Sequence, residues 1–222
     1  MKKEIKSKLN WKGKIVQKFI GEEPWFYSRQ LLKNSSQYIK GRVIDLGCGE
    51  KENKHKSLIL NLPGIESYTG VDFYTDADIK ADLNEKLPIN NGQYDTAICF
   101  LPLDYLKEPQ NFLNESFRIL KSGGYLLLTA SWIYPYHPEP EDYFRFSDNA
   151  LRYMLRKSGF QIESISPLGG KGQIISVFLR TKFPFFNKLR PFIDKIFTPR
   201  KNRLDKNPAA YFVIAKKPTL KI

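Results

Sequence analysis

The sequence predicts an α/β fold, a mainly parallel sheet with helices over both faces. Two observations carry this. Short apolar runs alternate with segments of helical period along most of the chain. The first run, Val43-Ile44-Asp45-Leu46, passes directly into a glycine-bracketed turn, Gly47-Cys48-Gly49. Such alternation sets successive strands side by side and parallel, because each intervening helix must cross back over the sheet. With 222 residues, 41% of them hydrophobic, the chain has apolar surface for one substantial core.

The elements follow in order. A basic, broadly helical N-terminal segment covers residues 1 to 40, with Ile5, Leu9, Val16, Phe19 and Ile20 on one face and a break at Gly21 to Pro24. Its second half, Trp25 to Ile39, is stopped by Gly41, and the main domain runs from 41 to 222. Strands are expected at Val43 to Leu46, Tyr68 to Val71, Thr96 to Phe100, Tyr125 to Thr129, Gln161 to Ile165 and Tyr211 to Ala215. Asn111 to Leu120 reads as a helix with Phe112, Leu113, Phe117 and Leu120 in one stripe, and Ser122-Gly123-Gly124 turns it into the next strand. Ser147 caps a helix reaching Ser158, with Leu151, Met154 and Leu155 facing inward and Gly159 ending it.

The net charge of +13 sits at the two ends: residues 1 to 40 carry +7, residues 41 to 180 carry −3 and residues 181 to 222 carry +9. The middle has the balance of an ordinary enzyme. The ends offer cations to a polyanion, nucleic acid or anionic lipid, or simply to water. No apolar run reaches about 18 residues, and the lysine-rich start lacks an apolar block, so a cytoplasmic protein without membrane span or secretory signal is expected. Cys48 and Cys99 lack the spacing of a zinc site, and no metal is expected.

The glycine turn carries the first chemistry. Gly47 and Gly49 allow the backbone to turn tightly at the carboxyl end of a central strand, where open α/β sheets bind ligands. A dinucleotide fingerprint would place a third glycine at position 52, which is Glu52, so a ligand without a pyrophosphate is favoured. Asp72 ends the next strand 23 residues after Gly49, where a carboxylate can accept hydrogen bonds from both hydroxyls of a ribose. Asp82-Leu83 can place a carboxylate near an adenine amine, and Phe73 can cover one face of that ring.

These residues resemble the class I S-adenosylmethionine-dependent methyltransferases, in particular small bacterial enzymes of methyltransferase type 11 with a DLGCG first motif. The resemblance spans roughly residues 25 to 168. It adds Gly70-Val71-Asp72, Ala81-Asp82-Leu83, Tyr94 to Ile98, and Arg118 to Gly124, which is similar to the family's R-x-L-K-P-G-G turn. It implies a Rossmann-like seven-stranded mixed sheet, order 3-2-1-4-5-7-6, with the last strand antiparallel. It implies S-adenosyl-L-methionine as cofactor, lined by Asp45, Gly47, Cys48 and Gly49 at the methionine end, Asp72 at the ribose, and Phe73, Asp82, Leu83 and Phe100 around the remainder. Where many relatives have Leu-Glu-His, this chain has Leu103-Asp104-Tyr105, so that histidine is missing and Tyr105 is a candidate to pack over the cofactor.

The acceptor side falls to Tyr134 to Phe146, a loop with three prolines that follows the fifth strand. It resembles the H-x-x-x-x-D-Y-x-R-F-S/T stretch of glycan and small-molecule methyltransferases. His137, with an ordinary pKa of about 6.5, is the candidate general base, accompanied by Asp142 and Arg145. A competing reading has His137 and Asp142 brace the loop while Arg145 pairs with Asp142 or Glu141. Tyr136 and Tyr143 are placed to stack on a sugar or to pack inward.

An insertion at about 169 to 208 carries Leu189, Phe192, Ile193, Ile196 and Phe197 at helical spacing among cations. Residues 183 to 204 thus suit an anionic membrane surface or a cover over the substrate site. The expected acceptor is a small molecule, a glycan or a lipid-linked intermediate, at the inner membrane face in the membrane reading. An RNA methyltransferase using the basic ends ranks below it, since no RNA-binding module is present and the acceptor loop is acidic. A cofactor-binding subunit without turnover is the third alternative.

Overall fold

Val43 and Ile44 are neighbours in β1 (Gly41–Leu46), and both are fully buried. Successive strand residues point to opposite faces, so only a central strand covered on both sides can bury such a pair. The computed structural model describes residues 30–49, 54–100, 102–138, 141–171, 174, 175, 178 and 207–219. In it β1 lies between β2 (Ile65–Asp72) and β4 (Tyr94–Phe100), parallel to both. The remaining strands are β3 (Ile79–Lys80), β5 (Leu120–Ser131), β6 (Gln161–Leu168) and β7 (Ala210–Lys216). Their spatial order is β3-β2-β1-β4-β5-β7-β6, with β7 antiparallel to both its neighbours. This is the seven-stranded mixed sheet that the resemblance implies.

Helices α1 (Lys54–Leu60), α2 (Pro109–Ile119) and α3 (Asp148–Lys157) cover it. Ile44, Leu46, Cys99, Leu126 and Leu128 point into a core closed by Phe112, Leu113 and Ile119 of α2 and Leu151 and Leu155 of α3. Val43, Ile98, Phe100 and Leu127 point the other way, onto Ile59 of α1 and onto Leu32 and Ile39. Pro109 occupies the first turn of α2, where its missing N–H costs nothing. The Ser147 hydroxyl accepts the Ala150 N–H at 3.2 Å and caps α3 as expected.

The structure departs from the expectation in three places. The apolar pattern did not reveal β3, whose two residues are too few to show a period. β5 begins at Leu120, five residues before the expected start: Leu120 pairs with Tyr94 and Tyr125 with Thr96, so the Ser122-Gly123-Gly124 turn is a bulge inside the strand. Gly41 opens β1 in the left-handed region, φ 64°, and donates its N–H to Gly64 at 2.8 Å. A Cβ there would lie 2.5 Å from the Asp95 carboxylate, which accepts the Arg42 N–H and pairs with Lys121.

The helical segment expected up to residue 29 and the amphipathic stretch expected at 183 to 204 lie outside the described residues. Among the described residues, no helix is long and apolar enough to cross a membrane.

Candidate active site at the carboxyl edge of the sheet

The turn after β1 is held from β2. Gly47 and Cys48 both donate their N–H groups to the Val71 carbonyl, at 2.8 and 3.1 Å. Gly49 donates to Asp72 Oδ2 at 3.0 Å. The other oxygen of Asp72 accepts the Tyr74 and Thr75 N–H groups, and the Thr75 hydroxyl donates back to the Gly49 carbonyl. Gly47 and Gly49 have φ of 80° and 72°, and a Cβ at Gly49 would meet no atom within 4 Å. The backbone is therefore open to a ligand on that side.

Two of the expected residues support the turn from behind. Asp45 is buried; its Oδ2 accepts the Tyr68 hydroxyl at 2.8 Å and lies 3.8 Å from His55 Nδ1. Cys48 packs its sulfur against Gly70, where a Cβ would come within 2.7 Å of Sγ. Burial, followed by the charges of Asp45, Asp72 and Asp78, pushes the Cys48 thiol up to about 12, so it stays protonated.

In front of the turn is a cavity of about 300 Å³. Gly47, Asp72, Phe73, Asp82, Leu83 and Phe100 line it, six of the nine residues expected around the cofactor. Asp45, Cys48 and Gly49 do not, because they are engaged behind and within the turn. Tyr105 also lines it, with Tyr74, Asn84, Leu106, Lys107 and Glu141. Asp82 accepts both the backbone and the side-chain N–H of Asn84, at 2.8 and 2.9 Å, which fixes its carboxylate at the wall. The lining cation, Lys107, is 3.5 Å from Glu141. The carboxylates of Asp72 and Asp82, with Asp45 behind them, suit a cationic ligand that carries hydroxyls, as a sulfonium nucleoside does.

The acceptor loop leaves β5 at Ser131, whose carbonyl takes the Phe146 N–H at 2.8 Å on the return. Asp142 and Arg145 hold it from inside. Their side chains form a two-pronged ion pair, 2.7 Å between Arg145 Nη2 and Asp142 Oδ2, and Arg145 also donates to the Tyr134 and Pro135 carbonyls. Asp142 accepts the His137 backbone N–H at 2.8 Å. The Arg145 guanidinium holds the Asp142 carboxyl below the usual carboxylate range. For Asp142 and Arg145 these contacts match the bracing reading.

His137 differs from both. Its ring lies 5.6 Å from that of Tyr105, and its Nδ1 is buried without a hydrogen-bond partner. None of His137, Asp142 and Arg145 lines the cavity, whereas Tyr105, the ring neighbour of His137, does. At the cavity mouth the Tyr143 hydroxyl donates to Glu141, and Lys107 lies 5.6 Å from the Tyr143 ring centroid.

His55, Tyr68 and Asn84 are absent from the expected site, as is the packing of Gly70 against Cys48. Tyr68 was within reach: Asp45 pairs with Gly70 in a parallel ladder, so two residues earlier a side chain shares the Asp45 face. His55 had no such signal, since its approach to Asp45 depends on the path of the connecting turn.

The contact between Cys48 and Gly70 gives a test. Gly70→Ala should destabilise the protein by about 1–3 kcal/mol through overpacking. Adding Cys48→Ala should recover most of that loss in urea unfolding, and additive losses would show that the two positions do not meet.

Residues 44–128 match the model of a methyltransferase domain family. No curated protein sequence matches the chain. Among solved structures the fold is similar to that of an S-adenosylmethionine-dependent methyltransferase from Archaeoglobus fulgidus, at 18% identity over 93% of this chain and 100% of that one, TM-score 0.62. A second, from Mesorhizobium loti, shares 18% identity over 84% and 96%, TM-score 0.60. A third is a phosphoethanolamine N-methyltransferase 2 from Haemonchus contortus, in complex with phosphomonomethylethanolamine and S-adenosylhomocysteine, at 16% identity over 84% and 53%, TM-score 0.54. At such identities the likeness is one of fold, and the family match adds the cofactor half of the sequence. The family match thus places a methyltransferase domain at residues 44–128, and the sheet order around it is the one that the resemblance to class I S-adenosylmethionine-dependent methyltransferases implies.

Proposed function

We propose that the enzyme methylates a hydroxyl or amine on a small-molecule, glycan or lipid-linked acceptor, with His137 as the base that takes the acceptor's proton. One observation carries this: the Nδ1 atom of His137 is buried with no hydrogen-bond partner, beside the tyrosine that lines the cofactor cavity. A buried polar atom left unpaired costs about 1–3 kcal/mol. A site that uses the atom to receive a proton accounts for that cost.

S-adenosylmethionine, when bound, supplies an electrophilic methyl group on a sulfonium. On this reading Asp72 holds its ribose hydroxyls, Asp82 and Leu83 its adenine with Phe73 over the ring, and Gly47 and Gly49 its methionine end with Asp45 and Cys48 behind them. Phe100 and Tyr105 form the wall toward the acceptor. The acceptor's oxygen or nitrogen gains the methyl, and its proton passes to His137. Asp142 and Arg145 keep the imidazole in place by fixing the loop that carries it. Alignment of this kind, with water excluded, is the protein's main contribution to a displacement.

The acids Asp82 and Glu141 on the cavity wall favour a small acceptor over a nucleic acid backbone. A structural neighbour, an N-methyltransferase in complex with phosphomonomethylethanolamine, supports the choice of a small acceptor. The cationic and apolar residues of 183 to 204 support presentation at an anionic membrane.

Three outcomes are expected. Methyl-labelled cofactor incubated with the enzyme and fractionated cell extract should label a small-molecule, glycan or lipid fraction; label confined to RNA rejects the proposed acceptor class. His137→Gln should lower the transfer rate by about 10²–10⁴-fold at unchanged cofactor affinity, and full activity in that variant removes the base. Asp72→Ala should weaken cofactor binding in calorimetry by about tenfold or more, whereas unchanged affinity displaces the ribose from Asp72.

A further inference from the structure

Asp104 is a buried carboxylic acid at the carboxyl edge with no part in the cofactor cavity. It sits in the short turn Pro102–Tyr105 and touches both ends of the acceptor loop. Its Oδ1 accepts the Ser131 N–H at 3.1 Å, where the loop leaves β5. Its backbone carbonyl accepts the Tyr143 and Phe144 N–H groups, at 3.0 and 3.3 Å, where the loop returns. The next residue, Tyr105, has one side on the cavity and its ring 5.6 Å from His137. Asp104 is thus the point where cavity wall, strand end and loop are joined.

We propose that Asp104 is a positioning residue for His137, holding the loop that carries the imidazole against β5 and Tyr105, and that its charge sets how firmly the loop is held. The proposal deepens the reading of His137 as the base and rests on it. The charged and titratable groups around Asp104 are Arg145 and Asp142 on the loop, Tyr105 on its own turn and Cys99 on β4. Arg145 is the attractive one. It also gathers Asp142 and the Tyr134 and Pro135 carbonyls, so the field of Asp104 acts on the centre of the loop's bracing.

Burial pushes the Asp104 carboxyl up to about 6, against the opposing pull of Ser131 and Arg145. Two effects of opposite sign follow as pH falls through that value. Locally, the carboxylate loses its charge, its attraction for Arg145 and part of its hold on the Ser131 N–H, so the loop loosens. Globally, a carboxyl whose folded pKa lies above its unfolded one favours the native state more once protonated, so overall stability from this group is greatest at low pH and is lost as pH rises through about 6. A residue that served stability alone would show only the second effect.

Asp104→Asn keeps an oxygen for the Ser131 N–H but carries no charge at any pH. With two histidines in the chain, the His137 ring resonance is assigned by comparison with His55→Gln. In wild type, amide exchange at Tyr143 and Phe144, corrected for intrinsic rates, should accelerate by about tenfold as pH falls through the Asp104 titration, while Leu127 in the sheet is unaffected. In Asp104→Asn both amides should exchange at the fast rate already at pH 7.5, with the His137 resonance displaced and the melting temperature no lower than wild type. Asp104→Ala should give the same pattern more strongly, and if it does not fold, the Asn variant decides alone. Wild-type exchange and an unmoved His137 resonance at pH 7.5 overturn the proposal. Activity in His137→Gln with these readouts intact removes the base and leaves the positioning contact standing.

Discussion

The hydrogen bond from the Gly49 N–H to the Asp72 carboxylate fixes the geometry on which the cofactor side depends. With the Thr75 hydroxyl's bond to the Gly49 carbonyl, it joins the turn after β1 to the loop after β2. The same carboxylate accepts Tyr74 and Thr75, so one charged group organises three backbone donors. Such bonds to an ionised acceptor are about twice as strong as neutral ones. The ladder makes the arrangement possible: Leu46 pairs with Val71, which brings the ends of the two strands level and lets the Val71 carbonyl take the first two N–H groups of the turn.

Concentrating acids at that edge has a cost, and the local partners show how it is contained. Asp45 is buried but meets the Tyr68 hydroxyl and His55. Asp72 accepts three backbone donors, and Asp82 is held by Asn84. Burial, followed by the field of these acids, raises the Cys48 thiol well above its ordinary range. Removing a carboxylate from water costs several kcal/mol before compensation. On the proposed reading a cationic cofactor adds to that compensation, the lining cation Lys107 being paired with Glu141.

The parts of the structure visible in the sequence are those set by local chemistry. The buried strand, the glycine turn and the acids that follow two strands are fixed by their neighbours in the chain, and the structure brings Gly47, Asp72, Asp82 and Leu83 to one cavity. The apolar stripes of α2 and α3 were visible for the same reason, because burial of one helix face imposes a period. What stayed hidden depends on distant packing or on very short elements. The two residues of β3 show no period, and the bulge in β5 arises because its register with β4 shifts between Tyr94 and Thr96. Cys48 has the position of a lining residue in sequence, yet the absence of a Cβ at Gly70 draws its sulfur inward. Asp104 read only as a departure from a family pattern, because its contacts with Ser131, Tyr143 and Phe144 span up to 40 residues.

The two halves of the site are built on different terms. The cofactor half is made from strand ends, and a change there disturbs the sheet itself. The acceptor half is a loop whose principal braces, Asp142 and Arg145, lie within it, and whose docking rests on Asp104, Ser131 and the Ala209 carbonyl that takes Trp132 and Ile133. Residues such as Tyr136, which is 76% exposed, make none of those contacts and are free to vary with the acceptor. His137 stands at the boundary. Its backbone belongs to the braced frame and its ring packs beside Tyr105, so on the proposed reading the proton-accepting position can stay constant while the surface around it changes.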